Sequence, residues 1–97
     1  MAPCPVKPGV LFGDEVLELF KWAKAEGFAI PAVNCVSSSS VNSCLEAAAK
    51  TKNPMIIQVS QGGGAFYCGK GIKDDGYKAT IAGSVACAKH VHAVAAL

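Results

Sequence analysis

With 97 residues, of which 52% are hydrophobic and 16% charged, the chain has the composition of one folded domain, which excludes a disordered or fibrous polymer. Its net charge of +2 comes from nine lysines and no arginine, scattered along the sequence, so the clustered basic stripe that nucleic-acid binding needs is missing. Five cysteines at irregular spacing, with no C-x-x-C pair, read as free thiols of a reducing cytosol rather than as a disulfide framework or zinc knuckle.

Residues 1–10 contain three prolines and no apolar run, and so resemble neither a secretory signal nor a transit peptide. A helix is predicted over 14–26, opened by Asp14 and Glu15, with Val16, Leu19, Phe20 and Ala23 on one face and Gly27 as its stop. Residues 28–34 form a short apolar run containing Pro31, predicted as a first strand. Four serines, 37–40, offer N-caps for a second helix ending near Lys52, with Val41, Cys44, Leu45 and Ala48 as its apolar stripe. Residues 55–60 are almost continuously apolar, as in a strand of a parallel sheet covered on both faces.

A glycine-dense loop over 62–76 is predicted next, followed by an alanine-rich helix from about residue 79 with Ile81, Val85, Ala88 and His92 or Val91 on its inner face. Its lysine and two histidines argue against a membrane span, since one central Lys alone costs about 2.5–3.5 kcal/mol. It carries no stop signal before Leu97, from which a chain cut short is expected. The alternation is α/β, compatible with a doubly wound sheet or a (β/α)8 barrel, and two strands alone leave a sheet's edges and faces uncovered.

Residues 64–71 spell G-x-x-x-x-G-K after a strand, the pattern of a nucleotide phosphate loop, but Gly71 stands where a magnesium-holding Ser or Thr is needed. A phosphate-binding module on this loop is thus a secondary reading. His90 and His92 lie two residues apart on a helix, roughly 200° around it, and cannot grip one ion. Asp74 and Asp75 read as a solvated turn. Asn34 and Ser60 are different: each is a polar residue ending an apolar strand, where parallel α/β folds carry their sites, although strand-end capping explains such residues equally well.

Taken in order, Lys7-Pro8-Gly9-Val10, Gly13-Asp14, the segment Phe28-Ala29-Ile30-Pro31-Ala32-Val33-Asn34-Cys35, Gln58-Val59-Ser60-Gln61-Gly62-Gly63 and Gly69-Lys70-Gly71 resemble the opening of class II fructose-bisphosphate aldolases of the longer subgroup. The resemblance runs from about Val6 to Leu97. It implies that residues 1–97 are the N-terminal fragment of a single (β/α)8 TIM barrel, a helix followed by β-α-β-α, not closed within this chain.

It further implies a cytoplasmic lyase of glycolysis and gluconeogenesis that reversibly cleaves fructose 1,6-bisphosphate to dihydroxyacetone phosphate and glyceraldehyde 3-phosphate. The implied cofactor is zinc, acting as a Lewis acid. The implied partners are a phosphorylated sugar and a second copy of the full-length subunit, with neither nucleic acid nor membrane. Asn34 and Ser60 match substrate contacts, while the acid/base and zinc-binding residues of the family match nothing in this chain and are expected beyond Leu97. The chain alone is therefore expected to be inactive, and a catalytically dead partner of aldolase subunits is the other open reading.

Overall fold

A computed structural model describes residues 2–97. Helix α1 spans Asp14–Glu26, as its periodicity predicts, and Gly27 closes it in the left-handed region at φ 77°. The Phe28 amide then reaches back to the Ala23 carbonyl at 3.1 Å, so the last turn is capped by backbone alone. Leu19, Trp22 and Ala23 form the buried face, whereas Phe20, predicted to lie on it, is exposed. Phe28 meets Trp22 edge-on at 5.1 Å, and the Trp22 indole donates to the Ala2 carbonyl at 3.1 Å, which straps the N-terminal segment across the helix.

Strand β1 is Ala32–Asn34, shorter than the predicted run over 28–34. Pro31 explains the start: it has no N–H for a ladder and contributes only its carbonyl, which accepts from the Ile56 amide at 2.8 Å. Helix α2 spans Ser38–Thr51. Of the four serines, Ser37 is the N-cap, its Oγ accepting from the Ser40 amide at 3.1 Å while the Ser40 Oγ accepts from the Ser37 amide at 3.1 Å. This reciprocal box satisfies donors that the first turn leaves orphaned.

Strand β2, Ile56–Gln58, pairs with β1 in parallel, matching Ala32 to Ile56, Val33 to Ile57 and Asn34 to Gln58. With one partner each, the strands alternate in burial: Val33 and Ile57 turn toward a small core of Cys35, Val41 and Cys87, while Ala32, Asn34, Ile56 and Gln58 face outward. The expectation that β2 is covered on both faces is not met within these residues, since Ile56 is 41% exposed.

The region read as a glycine loop contains helix α3, Gln61–Cys68, and a short 3-10 turn, Asp75–Tyr77, before helix α4, Lys78–Val94. Glycine is a poor helix former, which is why local propensity points to a loop here. Tertiary packing overrides it. A Cβ on Gly64 would lie 2.6 Å from the Ser84 Oγ and 2.8 Å from the Thr80 carbonyl, and one on Gly83 would overlap the Gly64 carbonyl oxygen. The glycines let the two helix backbones approach closely.

The same crossing corrects the predicted inner face of α4. Its buried residues are the small Ala79, Gly83 and Cys87, whereas Ile81 is 59% and Val85 48% exposed. Asp74, read as part of a solvated turn, is exposed there and also holds the start of α4. Its Oδ1 accepts from the Thr80 amide at 3.0 Å and its Oδ2 from the Thr80 hydroxyl at 2.6 Å. Tyr77 at the N-cap position makes no side-chain cap hydrogen bond, so Asp74 takes that part from outside the helix.

Candidate functional site

The parallel pairing brings the C-terminal ends of β1 and β2 to one edge of the sheet, where loops of α/β folds carry their chemistry. Asn34 ends β1 with its side chain exposed, directly opposite Gln58 in the register. One residue further, the Cys35 amide donates to the Gln58 carbonyl at 2.9 Å and locks the two strand ends together. Both polar side chains therefore share the open face of the sheet.

Ser60 follows two residues after β2 and is the N-cap of α3, its Oγ accepting from the Gly63 amide at 3.0 Å. The capping explanation is thus what the structure shows for Ser60, and its hydroxyl proton remains available to donate elsewhere. Gly63 is confined: a Cβ there would lie 3.1 Å from the Ser60 Oγ and 3.3 Å from Val59 Cγ2. Gly62 is the opposite case, with nothing within 4 Å of a built Cβ, so the approach to the first turn of α3 is unobstructed. Asn34, Gln58 and Ser60 thus line one rim, a set of uncharged hydrogen-bonding groups suited to orienting a polar ligand and carrying no acid, base or nucleophile of their own. Sequence reading passed over Gln58; the available signal was its position as the single polar residue inside the apolar run 55–59.

The larger surface groove, about 490 Å³, lies elsewhere. It is walled by Phe28, Pro31, Pro54 and Met55, all of which precede the strands, so it sits at the opposite end of the sheet from Asn34 and Ser60. A smaller cleft of about 200 Å³ runs between β2 and α4, lined by Ile57, Gln58, Cys87 and His92 among others. Position relative to the strand ends outweighs size here: the groove is mainly apolar, with Glu26, Thr51 and Asn53 as its polar lining, and lies away from the C-terminal strand ends where parallel α/β folds carry their sites.

The phosphate-loop lookalike is not loop-shaped: Gly64 to Cys68 belong to α3, and Gly64 is buried against α4. Lys70 is exposed beyond the helix. His90 and His92 diverge as predicted, the Nε2 of His90 lying 2.8 Å from Asn42 Oδ1 and the ring of His92 lying 5.8 Å from that of Phe12. Among the described residues, no three His, Cys, Asp or Glu side chains gather into a metal-binding group. None of the described helices is long and apolar enough to cross a membrane.

The family model described as fructose-bisphosphate aldolase class-II matches residues 14–96. Over 91 residues the chain is 56% identical to a fructose-bisphosphate aldolase of Haemophilus influenzae and 52% identical to a fructose-bisphosphate aldolase class 2 of Escherichia coli K12. Each match takes in 93% of this chain and 25% of the relative, so the chain spans about a quarter of the length of these proteins. The crystal structure of fructose-bisphosphate aldolase from Campylobacter jejuni superposes with a TM-score of 0.84 at 50% identity, over 93% of this chain and 25% of that one.

Proposed function

Because the chain belongs to the class II fructose-bisphosphate aldolase family, we propose that residues 1–97 supply the first two β/α units of a (β/α)8 barrel. In that barrel the open face of β1 and β2, with Ala32, Asn34, Ile56 and Gln58, turns toward the interior, and the exposed edges pair with further strands. The reaction is the reversible aldol cleavage of fructose 1,6-bisphosphate into two triose phosphates. Asn34 and Ser60 hold the phosphorylated triose by hydrogen bonds, and Gln58 stands beside them. The observation that carries this reading is the rim itself: polar side chains on the C-terminal ends of paired parallel strands, in a chain about half identical to aldolases over nearly its whole length.

Zinc, which the family implies, does not fit the residues described here, since no ligand cluster forms and both histidines are engaged elsewhere. We assign its ligands, and the acid/base group, to sequence outside residues 1–97, and expect the full-length subunit to pair with a second copy. The part played by this chain is binding and orientation.

The test is a chimera in which residues 1–97 replace the corresponding quarter of the Escherichia coli relative. Zinc-dependent cleavage of fructose 1,6-bisphosphate by the folded chimera is the expected result. A folded, zinc-loaded chimera without that activity would remove the assignment of these two units to an aldolase site.

A further inference from the structure

Cys35 and Cys44 are nine positions apart in sequence, one just past β1 and the other in the second turn of α2, yet their sulfurs lie 3.8 Å apart. The contact is a thiol–thiol hydrogen bond in which either sulfur can donate. The Cys35 sulfur, fully buried, also lies 3.7 Å from the Val33 carbonyl, while Cys44 is half-buried and is the sulfur that a small molecule reaches first. Cys87 completes the same core cluster from α4, and Cys4 and Cys68 lie outside it.

We propose that Cys35 and Cys44 are a modification site, forming a reversible intrachain disulfide when a hydroperoxide reaches Cys44. In the first step the Cys44 sulfur takes the terminal oxygen of the peroxide, giving a sulfenic acid and releasing the alcohol, or water from hydrogen peroxide. In the second step the Cys35 sulfur attacks the Cys44 sulfur, the S–O bond breaks, and the hydroxyl leaves as water with the Cys35 proton. Two thiols are oxidised to one disulfide, the peroxide takes up both electrons, and two equivalents of a thiol reductant reverse the change. A disulfide needs sulfurs about 2.05 Å apart, so the pair must approach by less than 2 Å, within the range of side-chain rotation at the half-buried Cys44.

The order of events follows from burial. Burial, and then the contact with Cys44, push the Cys35 thiol up to about 11, so Cys35 stays protonated and is a poor first target. Its place is to resolve the sulfenic acid next to it. The product ties the end of β1 to α2 across residues 35–44, adjacent to Asn34, so oxidation acts on the rim through the backbone without touching a ligand. Disulfide formation itself is independent of the proposed aldol chemistry.

Tryptic digestion reads the outcome directly, because no lysine falls between Lys24 and Lys50 and both sulfurs emerge in peptide 25–50. The 97-residue chain is treated with limiting hydrogen peroxide, its remaining thiols are alkylated, and the peptide is weighed. The expected product is two hydrogens lighter and unalkylated, returns to the doubly alkylated form after dithiothreitol, and forms about tenfold faster in buffer than in concentrated urea. Cys44→Ala abolishes it, and the Cys4→Ala, Cys68→Ala variant leaves it intact. Double alkylation of peptide 25–50 while Cys4 is oxidised, an equal rate in urea, or a cross-link from this peptide to Cys87 would each overturn the proposal.

Discussion

Substituting Gly83 by alanine asks whether the α3–α4 crossing is as close as the structure has it. On helix propensity alone the change stabilises, because Ala exceeds Gly by about 1 kcal/mol in a helix interior. Here the added methyl overlaps the Gly64 carbonyl oxygen and lies 2.8 Å from the Cys68 nitrogen, both backbone atoms that no rotamer change moves. The helices must separate, and overpacking of this kind costs about 1–3 kcal/mol. Contact with backbone on two sides argues for the upper end, which leaves a net loss of about 2 kcal/mol after the propensity gain. Gly62→Ala is the control. It is the same chemical change in the neighbouring helix α3, with open space around the methyl, and should be neutral or stabilising by up to about 1 kcal/mol. Urea unfolding of the chimera and both variants, followed by circular dichroism, gives the two differences on one scale. A Gly83→Ala variant as stable as Gly62→Ala would refute the close crossing and return residues 62–68 to a loop that merely borders α4.

Ser60→Ala removes both a helix cap and a ligand contact, so stability should fall by about 1 kcal/mol and kcat/KM of the chimera by about one to two decades, the worth of roughly 1.5–3 kcal/mol in a hydrogen bond to a charged group. Ser60→Asn retains a capping acceptor and should recover the stability but not the kinetics; recovery of both, or no kinetic loss in either variant, removes Ser60 from the site. The 97-residue chain by itself should cleave no fructose 1,6-bisphosphate and bind zinc no better than an unstructured cysteine peptide, and zinc-dependent turnover by the pure chain would show that the site residues are wrongly assigned. Hydrogen bonds from Thr80 hold the Asp74 carboxyl below its ordinary value of 3.8, so its contribution to stability is present above that pH and is lost as pH falls through the lower, folded-state value. Asp74→Asn should flatten the acid limb of the stability curve, and an unchanged limb in a pH titration counts against the cap.

Much of the architecture was legible because its signals are local. Gly27 marks the end of α1, and Ser37 sits where an N-cap belongs ahead of Val41 and Cys44. Asn34 and Ser60 stood out as polar ends of apolar runs, and the structure places both at the same edge of the sheet. What local reading missed depends on partners distant in sequence. The run from Gly62 to Gly64 looks like a loop until α4 is laid against Gly64, and the stripe Ala79, Gly83 and Cys87 looks less core-like than Ile81 and Val85 until close backbone approach is required. Asp74 needed Thr80 six residues on to become a cap. Gln58 needed Asn34 across the ladder, and no periodicity rule predicts that Cys35 beyond a strand meets Cys44 in a helix.

Trp22 is the single tryptophan of the chain, and its surroundings are local: Phe28 at its edge and the Ala2 carbonyl on its indole nitrogen. An apolar groove separates this corner from the last turns of α2, with Glu26 and Phe28 on one bank and Ala47, Ala48 and Thr51 on the other. Intrinsic fluorescence is therefore a reporter for the docking of α1 and nearly blind to the sheet and the glycine crossing. An emission change that precedes the loss of ellipticity on titration with denaturant would mean that α1 peels away as a separate cooperative unit, and a tryptophan signal alone would misreport the stability of everything around Asn34 and Ser60.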